Sequence, residues 1–461
     1  MGQELPFRLK RLNPRGKREQ QSLEVPSSSV VVRLLGHIRK ISDRFARVKI
    51  DLLAELEWRG LKYQHTAGLA EALAAGQVAG YCGFDPTADS LHVGSLVQIM
   101  GLVHLARAGH RPVLLVGGGT GLIGDPSGKA SERQLADQAT IETNAQRIAD
   151  QVRRFVQFDL VNNAEWLTSL NLVEFLRDVG KHFTVNYMLQ KESVSARMDA
   201  GISFTEFSYM LLQSYDFLEL NRRKNVTLQL GGSDQWGNIT AGIELIRRTT
   251  GNEAHALTLP LVTNAAGTKF GKTESGTIWL DPAKTSPYQF YQFWINIDDR
   301  DVGRYLRYFT LFDREEIESL ESRVAQYPER REAQNALARD VTTRVHGSDA
   351  TASAARVSTV LFGAGVSLRD LTLDDLGTLR SEMPYVTANF DKAIDAVELA
   401  AGHGILASKG EARRLIQQGG LYVNDRRVTP ETTTIGTDDL LAGRYVILRK
   451  GARNRTLIEF V

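Results

Sequence analysis

The chain has 461 residues, of which 42% are hydrophobic and 24% are charged, a composition typical of globular proteins. No apolar run is long enough to cross a bilayer, and this argues against a transmembrane protein. The single cysteine, Cys82, excludes an internal disulfide and suits a reducing cytosol.

Positive charge is concentrated at the start of the chain, although the whole chain has a net charge of only +2. Residues 1–50 contain twelve lysines and arginines against four acidic residues, so the rest of the chain is mildly acidic. Residues 34–48 are predicted to form a short amphipathic helix. An arginine-rich, acid-poor start is found in transit peptides and in surface-binding arms. We expect a poorly ordered, non-essential extension, or translation begun upstream of the working start.

From Asp51 onward, strand-like and helix-like segments alternate. The predicted strands and helices lie at residues 78–86 (strand), 91–109 (helix), 113–116 (strand), 226–230 (strand) and 239–248 (helix). Repeated strand, glycine turn and helix predict an α/β domain with a parallel sheet and helical crossovers. After Pro282 the pattern is all-helical through about Arg380, and from about Asp391 two short helices and then strands are predicted.

The glycine-rich stretch "VGGGTGLIGDPSGK", residues 116–129, fits two phosphate-binding motifs incompletely. A dinucleotide site needs a helix running on from the glycines and then a second strand. Here Pro126 and Gly128 interrupt the helix, and the following segment is helical with no second strand predicted. A P-loop fails because Ile123 and Ala130 occupy positions that need glycine and Ser or Thr. We expect instead that the glycines let a ligand approach the backbone, with Asp125 binding a cationic group such as an α-amine.

Two further stretches carry groups suited to a triphosphate. "FDPTADSLHVGS" is predicted to place His92 in the first turn of a helix, after the capping pair Asp89 and Ser90, and helix N-termini attract phosphate. "GTKFGKTESG" places Lys269 and Lys272 on a glycine-flanked loop that can fold over a triphosphate.

These stretches resemble one enzyme family. His92-Val93-Gly94-Ser95 resembles the HIGH signature of class I aminoacyl-tRNA synthetases, and residues 269–273, KFGKT, resemble their lysine-loop signature, KMSKS. The blocks "YCGFDPTADSLHVG", "GGGTGLIGDPSGK", "FTEFSYMLLQSYDFL" and "GGSDQWGNITAG" narrow the resemblance to bacterial-type tyrosyl-tRNA synthetases. The resemblance runs from about Asp51 to the C-terminus and leaves residues 1–50 outside.

The resemblance implies a tyrosine–tRNA ligase with three domains. These are a Rossmann-like parallel-sheet catalytic domain (51–281), an α-helical domain (282–380) and, after a linker (381–392), a small α+β alpha-L RNA-binding domain (393–461). Such enzymes join tyrosine to ATP, giving tyrosyl-adenylate and pyrophosphate, and then pass the tyrosyl group to the 3′ end of tRNA(Tyr). The resemblance also implies ATP with Mg²⁺ as a substrate, no tightly bound cofactor, a homodimer and a cytoplasmic location.

Matching positions give the roles that the resemblance implies for single residues. The group that neutralises phosphate charge during catalysis comprises His92, Lys269, Lys272, Thr273 and Thr87. Tyr81 and Asp216 are expected to hydrogen-bond the phenolic hydroxyl of tyrosine, and the rest of the amino acid is expected to contact Asp125, Tyr209, Gln213 and Gln235. The residues expected around ATP are Cys82, Gly83, Asp85, His92, Gly94, Ser95, Gly232, Asp234, Lys269 and Lys272.

Two of these positions have a second interpretation or depart from the family pattern. Ser95 stands at the fourth HIGH position, where the signature has histidine. Because serine can still donate a hydrogen bond to a ribose oxygen, we expect altered nucleotide affinity with activity retained. Cys82, taken alone, is explained nearly as well as a small buried apolar residue.

The C-terminal stretch "SKGEARRLIQQGGLYVNDRRV" resembles the alpha-L RNA-binding module. A capping box from Ser408 to Glu411 is predicted to begin its helix, and Asn424-Asp425 to form the turn of a hairpin. Basic side chains are clustered there on an otherwise acidic protein, which favours RNA contact. The residues expected to bind tRNA are Lys409, Arg413, Arg414, Arg426 and Arg427.

Three other functions compete with this interpretation. A tryptophanyl-type synthetase shares the fold and the signatures, although Tyr81 and the alpha-L module argue against it. A synthetase-derived RNA-binding or splicing protein would have no need of His92, Lys269, Lys272 and Asp125. A nicotinamide oxidoreductase is disfavoured by the incomplete glycine motif.

Overall fold

A computed structural model describes residues 50–461, except residues 126, 128–136, 196–197, 199–200, 274–275, 363–366, 392 and 452–453. The chain divides into two units between Ile50 and Asp51. The amphipathic helix predicted over residues 34–48 lies outside the described residues. Among the helices that are described, none has the length and apolar character of a membrane span.

Strands and helices alternate in the first part of the second unit. The strands are β1 (Gln64–His65), β2 (Ala79–Phe84), β3 (Arg111–Val116), β4 (Asp159–Asn162), β5 (Val226–Gly232) and β6 (His255–Leu259). The helices are α1 (Leu52–Arg59), α2 (Leu69–Ala75), α3 (Leu96–Arg107), α4 (Gln138–Arg153), α5 (Ala164–Leu167), α6 (Leu172–Asp178), α7 (Val185–Leu189), α8 (Glu192–Ser195), α9 (Phe204–Lys224) and α10 (Trp236–Thr250). The predicted strands and helices are all present, with ends that differ by a few residues.

The six strands form one sheet in the order β1-β6-β5-β2-β3-β4. Every neighbouring pair is parallel except β1 with β6. This confirms the predicted parallel sheet. The chain proceeds from β2 to β3 and β4 on one side and then to β5 and β6 on the other. A crevice therefore opens at the carboxyl ends of β2 and β5, where open α/β sheets bind ligands.

The prediction that no strand follows the glycine-rich stretch was wrong, because β4 (Asp159–Asn162) pairs in parallel with β3. The strand has only four residues, DLVN, and just two of them are apolar, so it lacks a clear periodic signal. The dinucleotide interpretation still lacks its helix. Residues 120–122 form a single 3-10 turn, and the next described helix, α4, begins only at Gln138.

A helical layer follows, as predicted. A short hairpin, β7 (Lys272–Thr273) with β8 (Gly276–Thr277), precedes it. The layer contains α11 (Pro287–Ile295), α12 (Asp299–Phe309), α13 (Arg314–Gln326), α14 (Glu332–His346), α15 (Ser348–Phe362) and α16 (Leu373–Glu382). Its aromatic side chains pack in one continuous apolar core with those of the sheet.

Arg59, at the end of α1, fastens this layer to the sheet domain. Its guanidinium is almost fully buried and donates hydrogen bonds of 2.8–3.0 Å to the carbonyl oxygens of Arg307, Thr310 and Phe312. The carbonyl end of a helix attracts positive charge, and α12 ends at Phe309. The charge of Arg59 is balanced by Glu55, 2.7 Å away.

The C-terminal module contains a second sheet in the order β12-β11-β14-β15-β9. Its elements are β9 (Tyr385–Ala388), β10 (Ala393–Asp395), α17 (Ala396–Gly402), α18 (Lys409–Gln417), β11 (Leu421–Val423), β12 (Arg426–Arg427), β13 (Thr434–Gly436), β14 (Tyr445–Lys450) and β15 (Asn454–Phe460). The edge strand β9 falls within residues 381–392, the expected linker, and pairs in parallel with β15. These residues therefore belong to the module's sheet.

The helix cap and the hairpin turn predicted for this module are both present, but the capping box has a different second hydrogen bond. Ser408 caps α18 by accepting from the Glu411 N–H, but the Glu411 carboxylate accepts from the Ala407 N–H instead of returning to Ser408. Asn424 and Asp425 have φ values of 49° and 60°, which is the backbone of a tight hairpin turn.

Candidate active site

A cavity of about 440 Å³ lies at the crevice between β2 and β5. The structure brings most of the predicted site residues to its wall. These are Tyr81, Cys82, Gly83, Asp85, Thr87, His92, Ser95, Asp125, Tyr209, Gln213, Asp216, Gly232, Asp234 and Gln235. Gly94 and the residues of the lysine loop do not line it.

At the inner end of the cavity, Asp216 is 1% exposed and accepts two hydrogen bonds. The Trp166 indole N–H donates to Oδ1 and the Asn163 amide donates to Oδ2, each at 2.8 Å. Burial raises the pKa of Asp216 to about 8, while the two donors lower it. The carboxyl is thus fixed in orientation and still faces the cavity.

Tyr81 lies on β2 and lines the same cavity. Its hydroxyl is buried and has no hydrogen-bond partner among the described residues. Burial, and then the charge of Asp216, raise the pKa of Tyr81, so the hydroxyl stays protonated at neutral pH. A buried polar group without a partner costs about 1–3 kcal/mol. A ligand hydroxyl that pairs with Tyr81 recovers that free energy.

Asn163 and Trp166 were missed by the sequence interpretation. Asn163 also accepts from the Gly119 N–H at 2.7 Å and donates to the Thr120 hydroxyl at 2.9 Å, which connects the glycine-rich stretch to Asp216. Both residues follow β4, the strand that was not predicted. The available signal was a polar residue at the carboxyl end of a parallel strand.

The pKa of Asp216 predicts how tyrosine binding depends on pH. A phenol that donates to this carboxyl favours its ionised form, so binding releases a proton when the free group is protonated. We therefore expect kcat/KM for tyrosine to rise with pH up to an apparent pKa of about 8 and then to level off. Asp216→Asn is expected to abolish this rise. If the parent and Asp216→Asn proteins have the same pH profile of kcat/KM, Asp216 is not the group that titrates.

Further along the cavity, an amide network surrounds Asp125. The Gln235 amide donates to Asp125 Oδ2 at 2.8 Å, and the Gln213 amide donates to Gln235 Oε1 at 3.2 Å. Asn238, to which no role was assigned from the sequence, donates to Gln213 Oε1 at 3.0 Å. The network presents acceptor oxygens to the cavity, and these suit an ammonium group.

Tyr209 and Asp85, expected at different parts of the substrate, contact each other. The Tyr209 hydroxyl donates to Asp85 Oδ2 at 2.8 Å, and the Thr120 hydroxyl donates to Oδ1 at 2.7 Å. The glycines beside them leave room for neighbouring side chains, and Gly117 also lines the cavity. A Cβ on Gly117 would lie 2.1 Å from the Asp85 carboxylate, and one on Gly118 would lie 2.2 Å from the Asn162 amide.

His92 lies at the rim of the cavity and is exposed to solvent. It caps its own short helix, because Nδ1 accepts from the Gly94 N–H at 3.0 Å. The predicted capping pair was wrong: Asp89 forms ion pairs with Lys284 and Arg147, and the Ser90 hydroxyl donates to the Leu91 carbonyl. Since Nδ1 accepts, the neutral ring carries its proton on Nε2. Desolvation, and then the charge of Lys272, lower the pKa of His92.

The two lysines of the loop line a separate cavity of about 790 Å³, which is bounded by α11 and α12. Both lie close enough to the first cavity to act on it electrostatically. Lys272 contributes to the lowered pKa of His92. Burial and the charge of Asp125 raise the pKa of Asp234, and Lys269 opposes that rise. The side chain of Thr273 lies outside what the structure describes.

Cys82 is buried, and burial raises the pKa of its thiol to about 12. It is therefore a neutral apolar lining residue and not a nucleophile. Within the described residues, no group of three or more His, Cys, Asp or Glu is placed to hold a metal ion.

Comparison with known proteins identifies the family. The family model of class I tRNA synthetases of the W and Y type matches residues 74–363, and the model of the tyrosine–tRNA ligase SYY-like C-terminal domain matches residues 375–458. The chain is 52% identical to a tyrosine–tRNA ligase of Bacillus caldotenax, over 89% of this chain and 100% of that protein. It is 51% identical to the tyrosine–tRNA ligase of Roseiflexus castenholzii, over 89% and 99% of the respective chains.

A solved structure agrees with these relatives. It is a C-terminally truncated mitochondrial tyrosyl-tRNA synthetase of Aspergillus nidulans, with a TM-score of 0.61 and 30% identity over 68% of this chain and 94% of that one. The chain belongs to the tyrosine–tRNA ligase family. The resemblance given by the HIGH-like and lysine-loop signatures is thereby confirmed, and the C-terminal family match separates this ligase from the tryptophanyl type.

In this tyrosine–tRNA ligase, the five basic residues expected to bind tRNA are all exposed. Two of them are paired with carboxylates: Lys409 with Glu398 at 2.5 Å and Arg426 with Asp439 at 2.8 Å. Arg413, Arg414 and Arg427 form no ion pair that the structure describes. We expect these three to be the more available to a phosphate backbone.

Proposed function

We propose that this chain activates L-tyrosine with ATP, releases pyrophosphate, and transfers the tyrosyl group from tyrosyl-adenylate to the 3′ end of tRNA(Tyr). The observation that carries the proposal is one cavity with two chemically different ends. Tyr81 and Asp216 present a hydroxyl and a carboxyl at the inner end, and Asp125 with its amide network presents acceptors nearer the opening. This arrangement suits a molecule with a phenol at one end and an ammonium group at the other.

Tyrosine in this orientation has its carboxylate near the rim, where His92, Ser95 and Asp234 lie. That carboxylate is the nucleophile towards the α-phosphate of ATP, so the protein's task is to align the reactants and neutralise charge on the departing phosphates. We propose that His92 donates from Nε2 to those phosphates and that Lys269, Lys272 and Thr273 act with it. Mg²⁺ enters with ATP as part of the substrate, held mainly by phosphate oxygens and water.

Tyrosine-dependent charging of tRNA by the purified protein tests the proposal. Pyrophosphate exchange is expected with tyrosine and not with tryptophan, and attachment of tyrosine to tRNA is expected to require ATP. Exchange with tryptophan alone would favour the tryptophanyl alternative. RNA binding without exchange of either amino acid would favour a synthetase-derived RNA-binding protein.

The need for ATP and tRNA, together with the single buried cysteine, supports a cytoplasmic location.

We also propose a homodimer, supported by exposed apolar side chains on helices α6, α7 and α9. Helix α6 has no buried residue, although it carries Leu172, Val173 and Leu176. Val185 and Phe204, on neighbouring elements, are 61% and 78% exposed. Apolar surface of this kind on a folded protein marks an interaction site. A second copy is the occupant that fits the family's dimeric state.

Charge placed on this face is expected to dissociate the dimer. Val173→Glu would bury a carboxylate between two apolar faces, so sedimentation velocity is expected to show monomers where the parent protein sediments as a dimer. Leu373→Glu is the matched control, because Leu373 is also an exposed leucine but lies in the helical layer. A dimer that survives Val173→Glu, or is lost equally in both variants, would contradict this interface.

A further inference from the structure

Trp279 lies beyond the lysine loop and contacts the active-site histidine. Its ring lines the same cavity as His92. The two ring centroids are 6.2 Å apart and the planes are inclined at 72°, the T-shaped arrangement that aromatic pairs favour. No role was assigned to Trp279 from the sequence.

Backbone hydrogen bonds fasten the segment of Trp279 to that of His92. The two residues are antiparallel bridge partners. On one side the Val93 N–H donates to the Ile278 carbonyl at 3.0 Å, and on the other the Leu280 N–H donates to the Leu91 carbonyl at 2.9 Å. The backbone of Trp279 is therefore held directly against the backbone that carries the imidazole.

A second set of contacts holds Trp279 from its other side. Lys284 Nζ lies 5.2 Å from the Trp279 ring centroid and 2.8 Å from Asp89. Asp89 is three residues before His92 and also pairs with Arg147 at 3.2 Å. The Trp279 backbone N–H donates to the buried Thr285 hydroxyl at 3.0 Å. Side-chain contacts therefore connect Trp279 to Lys284 and Lys284 to Asp89, and the backbone connects Asp89 to His92.

The middle of the lysine loop, at Gly271, packs against the same segment. Gly271 has a φ of 80°, and a Cβ there would lie 2.4 Å from a methyl group of Val93. The Gly271 carbonyl accepts from the Ile278 N–H at 3.0 Å. The loop that carries Lys269 and Lys272 therefore approaches the His92 segment at Gly271, between the two lysines, and is linked to it again through Ile278.

We propose that Trp279 is a positioning residue for adenylate formation: it holds the His92 imidazole towards the phosphates and sets the lysine loop relative to it. This rests on the proposed role of His92. The indole makes no hydrogen bond to the substrate in this scheme. It acts through the ring contact with His92 and through the shared backbone.

A comparison of Trp279→Leu with and without His92 tests the proposal. Trp279→Leu is expected to lower kcat for tyrosine-dependent pyrophosphate exchange by about ten- to a hundredfold, because a misplaced catalytic group loses rate on that scale. KM for tyrosine is expected to stay within about twofold, since the phenol end is untouched. Trp279→Phe, which keeps a ring against the imidazole, is expected to retain most of the rate.

In a His92→Ala protein, adding Trp279→Leu is expected to cause a much smaller further loss, because the imidazole that Trp279 positions is absent and only its effect through the lysine loop remains. Equal factors in the two backgrounds would overturn the proposal. Should the leucine variant be unstable, Trp279→Met, which fills more of the same space without a ring, serves for the same comparison in the two backgrounds. A His92→Ala protein with normal exchange would instead overturn the proposed role of His92, and the single variant distinguishes the two failures.

Trp58→Leu is the matched control for the loss of a tryptophan. Its ring contacts the guanidinium groups of Arg59 and Arg314 at 5.0 and 4.8 Å, on helix α1 and away from the cavity. This variant is expected to lower Tm without changing kcat. If it lowers kcat as much as Trp279→Leu, the effect is a general one and the positioning role is wrong.

Discussion

Asp216→Ala is expected to reduce kcat/KM for tyrosine by about a hundredfold or more. The carboxyl is the acceptor for the phenol, and a hydrogen bond to a charged group contributes about 1.5–3 kcal/mol. Its loss also leaves the Trp166 indole and the Asn163 amide without their partner at the bottom of the cavity. Steady-state pyrophosphate exchange at varied tyrosine measures the change, which is expected mainly in KM for tyrosine.

Two further variants separate recognition from folding. Tyr81→Phe is expected to narrow the preference for tyrosine over phenylalanine by roughly three- to tenfold, the effect of one neutral hydrogen bond. Its Tm is expected to be unchanged or higher, because the Tyr81 hydroxyl has no partner in the described part of the free protein.

Asp375→Asn is the matched control for a buried carboxylate. Asp375 is fully buried and accepts from Arg356, but it lies in the helical layer. It is expected to lower Tm and leave KM for tyrosine unchanged. Normal tyrosine kinetics in the Asp216→Ala protein, or an equal rise of KM for tyrosine in the Asp375→Asn protein, would show that Asp216 does not bind the phenol of tyrosine.

The sequence predicted the three central strands of the sheet, β2, β3 and β5, because they are strongly patterned. Residues 79–84 and 112–116 are largely apolar; the first run ends at the Asp85-Pro86 turn before a helix, and the second ends at the glycine-rich stretch, so their type follows from local signals. Short edge strands carry no such signal. The edge strands β1, β4 and β9 were therefore missed, and the five-residue inner strand β6 was missed as well. Without β4, the position of Asn163 and Trp166, which hold Asp216, could not be predicted.

The sequence predicted which residues line the site better than it predicted which of them contact one another. The family resemblance indicated Asp85, Asp125 and Tyr209, but the pairing of Tyr209 with Asp85 depends on how α9 crosses the end of β2. The glycines of this stretch were interpreted as letting a ligand approach the backbone; Gly117 lines the cavity, and the missing Cβ atoms of Gly117 and Gly118 also make room for Asp85 and Asn162. A glycine in the sequence indicates that some group comes close to the backbone at that position, and only the fold shows which group it is.

Lys272 and the basic residues of the C-terminal module are expected to act in different steps. Lys272→Ala is expected to lower kcat for tyrosine-dependent pyrophosphate exchange by about 10²–10³-fold, the usual effect of removing one preorganised group that stabilises transition-state charge. KM for tyrosine is expected to change little, because Lys272 lies outside the tyrosine cavity. Charging of tRNA falls with it, since the adenylate is its intermediate.

Replacing Arg413, Arg414 and Arg427 together by alanine is expected to leave exchange near the parent rate. Charging of tRNA is expected to fall, and the slope of its salt dependence to decrease by roughly one unit for each phosphate group that is no longer bound. These substitutions are expected to leave the module folded, because all three side chains are exposed. Deleting residues 393–461 is expected to have the same effect on charging, but it would leave β9 without its partner β15. A cut before Tyr385 is therefore the cleaner deletion.

Different results with the two sets of variants would contradict the assignment of Lys272 to adenylate formation and of the C-terminal module to tRNA binding. If Lys272→Ala impairs only transfer to tRNA in single-turnover experiments with preformed adenylate, the lysine acts in the second step and its charge does not serve the departing pyrophosphate. If the triple arginine variant loses exchange while its Tm stays at the parent value, the module is coupled to adenylate formation. Retained exchange with weakened, less salt-dependent charging is the outcome that the separate surfaces predict, because an interaction with the tRNA backbone cannot stabilise a transition state formed before tRNA binds.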